Sequence, residues 1–196
     1  GEDRTKGELL VTPNTRLSAA EIGVGASVGR AQIKVARLPR TIVISTGNEL
    51  VEIDQQPEPH QIRRGNVYRI QATLAHYGLE VDTAHLLDDK VLLNKRLATY
   101  LEHYDLIILS GGVSKGKFDF LPDVLTELGV TKHFHRVAPR PGKPFWFGSH
   151  TTTNTTVFAM PGNPVSSFMC TQVYLLDWLN ASLGLTSIVR PRAILQ

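Results

Sequence analysis

The stretch DLIILSGG at residues 105–112 gives the clearest strand signal in the chain. Its central residues are apolar at successive positions, so both faces of the strand carry apolar side chains. Such strands are typical of parallel sheets covered by helices on both faces, because half-exposed antiparallel strands alternate apolar and polar residues. The segment therefore predicts an α/β protein, a three-layer sandwich with a mostly parallel central sheet.

Strand and helix patterns alternate on both sides of this segment. Before it, the sequence predicts strands at 41–46 and 80–87, and amphipathic helices at 66–77 and 91–103. After it, the sequence predicts a helix at 118–128 and then three strands, at 133–139, 143–148 and 156–162. Two of these strands are expected to form a hairpin around 150–155. A final helix is predicted from 164 to about 183. This order is typical of crossover connections between parallel strands.

Residues 1–39 differ in character from the rest and are predicted to be an N-terminal arm, a fragment of a preceding domain. A capped short helix is expected around 17–22 and a strand at 32–38. The α/β domain is predicted to occupy residues 40–185. Residues 186–196 resemble the opening of a C-terminal β domain, so we expect the chain to be a piece of a longer protein.

Composition narrows the classes of protein that fit. A single cysteine, Cys170, excludes an internal disulfide and favours a reducing compartment, so we expect a cytoplasmic protein. No stretch approaches the roughly 20 apolar residues of a membrane span, and we expect no membrane association. The formal net charge of +3 comes without a basic cluster, which argues against nucleic-acid binding.

Four segments that combine glycine with polar residues follow or separate the predicted strands. In open parallel sheets, ligands bind beyond the carboxyl ends of the strands, so these segments are expected to share one edge. They read STGNEL (45–50), SGGVSKGKFDF (110–120), RPGKP (140–144) and PGNPVSS (161–167). Glycines in the second segment let backbone amides approach an anion. Asn163 and Pro164 start a helix, whose first amides are expected to favour an anion as well.

Three carboxylates bear on the chemistry of this edge. Glu49, Asp88 and Asp119 each lie just past a predicted strand, so all three are expected to converge there. Each alone also suits a solvated charge, and Asp119 suits a helix cap. Together, beside loops that bind oxyanions, they would hold Mg²⁺ against a pyrophosphate and orient water.

The four segments, in this order, resemble the molybdopterin-binding domain of the MoeA and gephyrin family. The Ser-Thr-Gly-Asp-Glu-Leu pattern of that family is met by residues 45–50, with Asn48 in place of the acid. Residues 110–120 match its SGGVS-x-G-x-x-D-[FY] pattern in full, and residues 161–166 match PGNPVS without change. Arg140 replaces the first lysine of KPGKP. The residues before Thr41 also resemble the lead-in of that family, which separates the chain from MogA and CinA types sharing the MoaB/Mog-like sandwich.

The resemblance implies insertion of molybdate into adenylyl-molybdopterin, with Mg²⁺-dependent release of AMP. It implies that Glu49, Asp88 and Asp119 are the catalytic and metal-binding acids. The expected substrate-binding residues are Thr46, Gly47, Ser110, Gly111, Gly112, Ser114, Arg140, Gly142, Lys143, Pro144, Pro161, Gly162, Asn163, Pro164 and Ser166.

The resemblance further implies partners and leaves alternatives open. The expected ligands are a pterin phosphate and molybdate, the expected protein partner is a MogA-type adenylyltransferase, and the full-length protein is expected to be a homo-oligomer. One alternative is a non-catalytic scaffold module that binds molybdopterin; another is a MogA- or CinA-like domain that handles nucleotides. The Asp-Ser-Asn that the family tends to show is Arg64, Gly65 and Asn66 here.

Overall fold

The computed structural model describes residues 4–113, 120–138 and 141–185. Predictions that concern Ser114, Asp119, Arg140 and residues 186–196 lie outside the described residues. The chain forms two compact units: Leu38–Leu175 makes the larger unit, and Gly1–Arg37 with Leu176–Gln196 makes the smaller one. The boundaries proposed from the sequence, at 39/40 and 185/186, stay predictions.

The larger unit is built on a six-stranded sheet of order β4-β1-β5-β8-β7-β6. Its strands are β1 (Thr41–Thr46), β4 (Val81–Leu86), β5 (Leu106–Ser110), β6 (Thr131–His135), β7 (Trp146–His150) and β8 (Thr155–Met160). The strands β4, β1, β5 and β8 are parallel, whereas β7 is antiparallel to both of its neighbours. A separate two-stranded parallel sheet joins β2 (Leu50–Val51) and β3 (Ile62–Arg63).

Six helices accompany the strands in the part of the chain that the structure describes. They are α1 (Ala19–Ser27), α2 (Gly65–Ala75), α3 (Lys90–His103), α4 (Leu121–Glu127), α5 (Pro164–Cys170) and α6 (Leu176–Ser182), with a π-helical turn at Thr171–Leu175. Of these, α2, α3 and α4 lie between strands of the sheet along the chain. Within the described residues, no helix is both long and apolar enough to cross a membrane.

The core of the larger unit lies on both faces of the sheet. Every residue of β1 and β5 is buried. On one face, Ile44 and Leu109 pack in a cluster with Leu93 and Leu97 of α3. Val43, the neighbour of Ile44, points to the opposite face, where α2 contacts β1. Burial of each such side chain contributes about 1.5–3 kcal/mol. The predicted three-layer α/β sandwich with a mostly parallel sheet is confirmed.

Several local predictions are confirmed and others need correction. The predicted hairpin is formed by β7 and β8, and a capping box of Ser18 and Glu21 starts α1. The predicted strand at 32–38 is wrong: residues 32–37 are exposed, Leu38 is half-buried, and none of them has a strand partner among the described residues, so no ladder satisfies their backbone groups. The strand predicted at 133–139 ends earlier, because Arg136 has a positive φ of 74°.

The predicted final helix is continuous over 164–182 but changes type at Thr171–Leu175. Thr171 Oγ1 donates to the carbonyl oxygen of Ser167 at 2.8 Å. Threonine hydroxyls that bond the preceding turn in this way bend helices. The local bond is consistent with the switch from α-helix to π-helix at this residue.

Candidate functional site

A cavity of about 690 Å³ lies where β1, β4, β5 and β8 end at their carboxyl termini. Residues of β3 and the start of α2 complete its lining. Many of the predicted site residues line it, namely Thr46, Gly47, Glu49, Asp88, Ser110, Gly111, Gly112, Gly162, Asn163 and Pro164. The structure therefore brings together residues of three of the four glycine-bearing segments and two of the three predicted carboxylates.

Five predicted residues are not part of this lining: Gly142, Lys143, Pro144, Pro161 and Ser166. Gly142 instead lies against the C-terminal end of α5. A Cβ on Gly142 would come within 3.1 Å of the Cys170 sulfur, and the Cys170 thiol faces the Gly142 carbonyl oxygen at 3.9 Å. Gly142 thus packs on α5, and the role of the third segment in ligand binding stays a prediction.

The loops after β1 and β5 touch through Thr46 and Gly111. A Cβ built on Gly111 would lie 2.6 Å from the backbone oxygen of Thr46, and Gly111 has a φ of +105°. Only glycine fits both the contact and the backbone conformation. Thr46 Oγ1 is buried and has no hydrogen-bond partner within the described part of the chain. The cavity thus holds a buried hydroxyl that a polar ligand would satisfy.

Asn66, near the start of α2, links the loops after β5 and β8. Its Nδ2 donates to Ser110 Oγ at 3.0 Å and to the Gly162 carbonyl oxygen at 2.8 Å. Its Oδ1 accepts from Arg69 Nη2 at 2.8 Å. One side chain therefore ties three segments of the cavity wall together. Sequence reasoning noted Asn66 but did not assign it to the site.

Of the three predicted carboxylates, Glu49 and Asp88 belong to the described residues, and both line the cavity. Burial raises the pKa of Asp88 above its ordinary value, and the nearby Glu49 charge raises that pKa further. The backbone N–H of Asp88 donates to Asn48 Oδ1 at 3.0 Å. The side chain of Asn48, which stands where the family pattern has an acid, therefore positions the backbone of Asp88.

Oxygen donors of this kind suit Mg²⁺, which binds proteins through one or two carboxylates and keeps several waters. Among the described residues, no group of three or more histidine, cysteine, aspartate or glutamate side chains has the arrangement of a metal site. Glu49 and Asp88 thus offer two carboxylates at the cavity wall, and Asp119, the third predicted ligand, lies outside the described residues.

The start of α5 corrects one prediction. Asn163 Oδ1 accepts hydrogen bonds from the amides of Val165 and Ser166, each at 3.1 Å. These amides were expected to face an anion, but the side chain of Asn163 already satisfies them. The PGNPVSS segment therefore begins a capped helix here, and Asn163 shapes the cavity wall as a cap.

Replacing Asn163 by alanine is expected to lower the free energy of unfolding by about 1 kcal/mol, because two amides lose their acceptor. Urea denaturation followed by circular dichroism measures the change. Asn163→Asp keeps an acceptor oxygen at the same place and is expected to retain nearly the wild-type midpoint. An alanine variant with an unchanged midpoint would show that the cap contributes nothing.

Sequence reasoning missed the basic residues of the cavity. Arg63, Arg64 and Arg69 all line it, beside the predicted acids. Arg64 was noted only as a departure from a family pattern. The helical spacing of α2 places residues 65 and 69 on one side of the helix, so a site at its start could have been predicted to include Arg69. Which side of α2 faces the loops depends on tertiary packing.

A mostly parallel α/β sandwich with a cavity at the carboxyl ends of its strands defines a protein with a small-molecule site at that edge. The chain belongs to the family described as probable molybdopterin binding domain, whose model matches residues 42–181. The family predicted from the sequence motifs is confirmed.

A curated relative and two solved structures give the closer context. A molybdopterin molybdenumtransferase of Synechocystis sp. is 42% identical over 176 residues, covering 89% of this chain and 45% of the relative. The MoeA molybdopterin biosynthesis protein of Pyrococcus horikosii superposes with a TM-score of 0.79 at 31% identity, covering 91% of this chain and 44% of that one. The chain spans less than half the length of both.

The MoaB structure of Thermus thermophilus has a TM-score of 0.53 at 20% identity and covers 75% of this chain and 98% of that one. At this identity the likeness concerns the fold alone. It agrees with the predicted MoaB/Mog-like sandwich.

Proposed function

We propose that this chain is the molybdopterin-binding part of a cytoplasmic molybdopterin molybdenumtransferase. The enzyme would insert molybdate into adenylyl-molybdopterin and release AMP, as a step of molybdenum cofactor biosynthesis. The observation that supports this best is the meeting of three glycine-bearing segments and two carboxylates in one cavity. The names of the relatives agree with the proposal.

In this proposal the phosphate of the pterin lies against Gly111 and Gly112, where the absence of Cβ atoms lets backbone amides approach its oxygens. Thr46 Oγ1, buried without a partner among the described residues, donates to the same group. Lys143, with Arg140 and Ser114, would add contacts that the family resemblance implies. Asn66 keeps the loops after β5 and β8 at a fixed separation.

Glu49 and Asp88, with Asp119, would hold Mg²⁺. When bound, Mg²⁺ would neutralise negative charge on the pyrophosphate of the adenylate. It would so favour cleavage of the P–O–P linkage that releases AMP. The two carboxylates also accept hydrogen bonds from water and orient it toward the bond that breaks. A MogA-type adenylyltransferase would supply the adenylylated pterin, and the whole enzyme would act as a homo-oligomer.

Isothermal titration calorimetry of the chain with molybdopterin and with its adenylate tests the proposal. We expect the chain to bind both without turning over unaided, and a full-length protein that contains it to yield AMP from the adenylate once molybdate and Mg²⁺ are added, as measured by chromatography. Binding of both pterins without AMP in the full-length protein would favour the non-catalytic scaffold module. Binding of a nucleotide with no affinity for either pterin would overturn the proposal in favour of a nucleotide-handling domain.

A further inference from the structure

We propose that the cavity contains an oxyanion subsite at the start of α2, in which Arg64 and Arg69 hold a tetrahedral oxyanion, either a phosphoryl group or molybdate. The inference rests on the proposed function and extends it, because it names residues outside the motifs that carry the family resemblance. Three independent features of the described residues support it: two arginines with unused donors, and one helix terminus without a cap.

Arg64 is a buried cation with donor capacity to spare. Its side chain is only 9% exposed, and its Nε pairs with Glu52 Oε2 at 2.7 Å. Its guanidinium carbon lies 5.6 Å from the centre of the Tyr68 ring. These contacts fix the plane of the guanidinium. Nη1 is buried without a hydrogen-bond partner in the part of the chain that the structure describes, which is unfavourable until an acceptor enters the cavity.

Arg69 carries a charge that no carboxylate balances among the ion pairs of the described residues. Its Nη2 donates to Asn66 Oδ1 at 2.8 Å and to the Pro164 carbonyl oxygen at 2.7 Å. The guanidinium lies 5.6 Å from the centre of the Phe168 ring. Its Nε is buried and lacks a partner within the described ranges. The contacts that hold this cation at the cavity wall are therefore all with neutral groups, and an anion is favoured beside it.

The start of α2 is the third feature. Arg64 occupies the N-cap position, no side chain caps the helix, and its first turn contains no acidic residue. Gly65, Asn66 and Val67, the first residues of this 11-residue helix, all line the cavity. A helix N-terminus carries partial positive charge and normally has an oxygen acceptor as its cap. Here a ligand oxyanion would supply that acceptor, in contrast to α5, where Asn163 does so.

The charges at the start of α2 also favour an oxyanion over other ligands at this place. A neutral ligand would leave the charge of Arg69 and the helix N-terminus uncompensated, and a cation would be repelled by both. A tetrahedral oxyanion offers several acceptor oxygens and matches the planar donors of arginine. Phosphate and molybdate share this chemistry, and the proposed reaction contains both.

Separate calorimetric titrations with inorganic phosphate and sodium molybdate, without pterin, test the subsite. We expect Arg64→Gln and Arg69→Gln each to weaken binding of the preferred oxyanion by about tenfold or more, because each removes a charged hydrogen-bond donor. Arg96→Gln is the matched control, since Arg96 is exposed on α3 and does not line the cavity. Thermal unfolding checks that each variant is folded.

The anion that binds more tightly identifies the group that the subsite takes. Absence of binding for both anions at millimolar concentration, or equal affinity in the wild type and in Arg69→Gln, would overturn the inference. Arg69 has no carboxylate partner among the described residues, so its variant serves if Arg64→Gln unfolds. Pterin binding with arginine-independent oxyanion affinity would end only this inference. Arginine-dependent oxyanion affinity without pterin binding would end only the proposed function.

Discussion

Replacing Gly111 by alanine is expected to destabilise the larger unit by about 3 kcal/mol and to abolish ligand binding. The new Cβ would lie 2.6 Å from the backbone oxygen of Thr46, and alanine would have to adopt a φ of +105°. The contact lies one residue beyond Ser45 and Ser110, the last pair of β1 with β5, so the strand pairing limits how far the backbone can shift to relieve it. The loops that form the cavity floor would therefore separate.

Urea denaturation and calorimetry with molybdopterin measure the two effects. Gly162→Ala provides a control in the same cavity, because a Cβ there would meet Gly111 Cα at an ordinary 3.7 Å. Its effect on unfolding is expected to stay within about 1 kcal/mol. Similar midpoints for the two variants would show that the approach of Gly111 to Thr46 does not determine stability.

Glu49→Gln and Asp88→Asn are each expected to lower the rate of AMP release by about 100-fold or more, provided that both carboxylates hold Mg²⁺ as proposed. Loss of a metal-binding carboxylate removes stabilisation of charge that builds up in the transition state, and every 1.4 kcal/mol is about tenfold in rate. Release of AMP from adenylyl-molybdopterin in the presence of molybdate and Mg²⁺ is the measurement. Glu80→Gln is the control, because Glu80 is exposed and precedes β4, at the other end of the strand from Asp88.

The pKa of Asp88 adds a pH dependence and a test for unfolding. Because burial and Glu49 raise this pKa, Asp88 loses its charge at a higher pH than an ordinary aspartate, and activity is expected to fall on acidification through that pKa. The folded protein also holds this proton more tightly than the unfolded chain, so ionised Asp88 lowers stability above its pKa. Asp88→Asn without ligand is therefore expected to melt no lower than the wild type. A rate unaffected by the substitution would remove Asp88 from the metal site.

The fold was largely predictable because its strands are buried on both faces. The apolar run in β5 excludes a half-exposed sheet by itself, and the spacing of Leu93, Leu97 and Leu101 places α3 against it. The strand prediction at 32–38 was wrong because a segment with an alternating apolar pattern forms a strand only if another strand pairs with it. Pairing is a tertiary property that a local pattern does not contain.

The site was predictable where glycine and carboxylates follow strands, since parallel topology brings strand ends together. The contacts of Asn66 with Ser110 and Gly162 were not, because they join residues that are 44 and 96 positions apart. The position of Arg64 in the cavity wall could not be predicted from the sequence either. Its burial depends on Glu52 and Tyr68, whose positions follow from the small sheet of β2 and β3 and from α2.

The outer strand β6 has a consequence for how the protein behaves when concentrated. Its register with β7 shifts between Lys132 and Phe134, and four of its five residues are exposed. An irregular, lysine-bearing border is a poor template for the border of another molecule, because the free backbone groups no longer form an even row. Strand-to-strand aggregation through this side of the sheet is thereby discouraged, even though Phe134 leaves an aromatic ring in water.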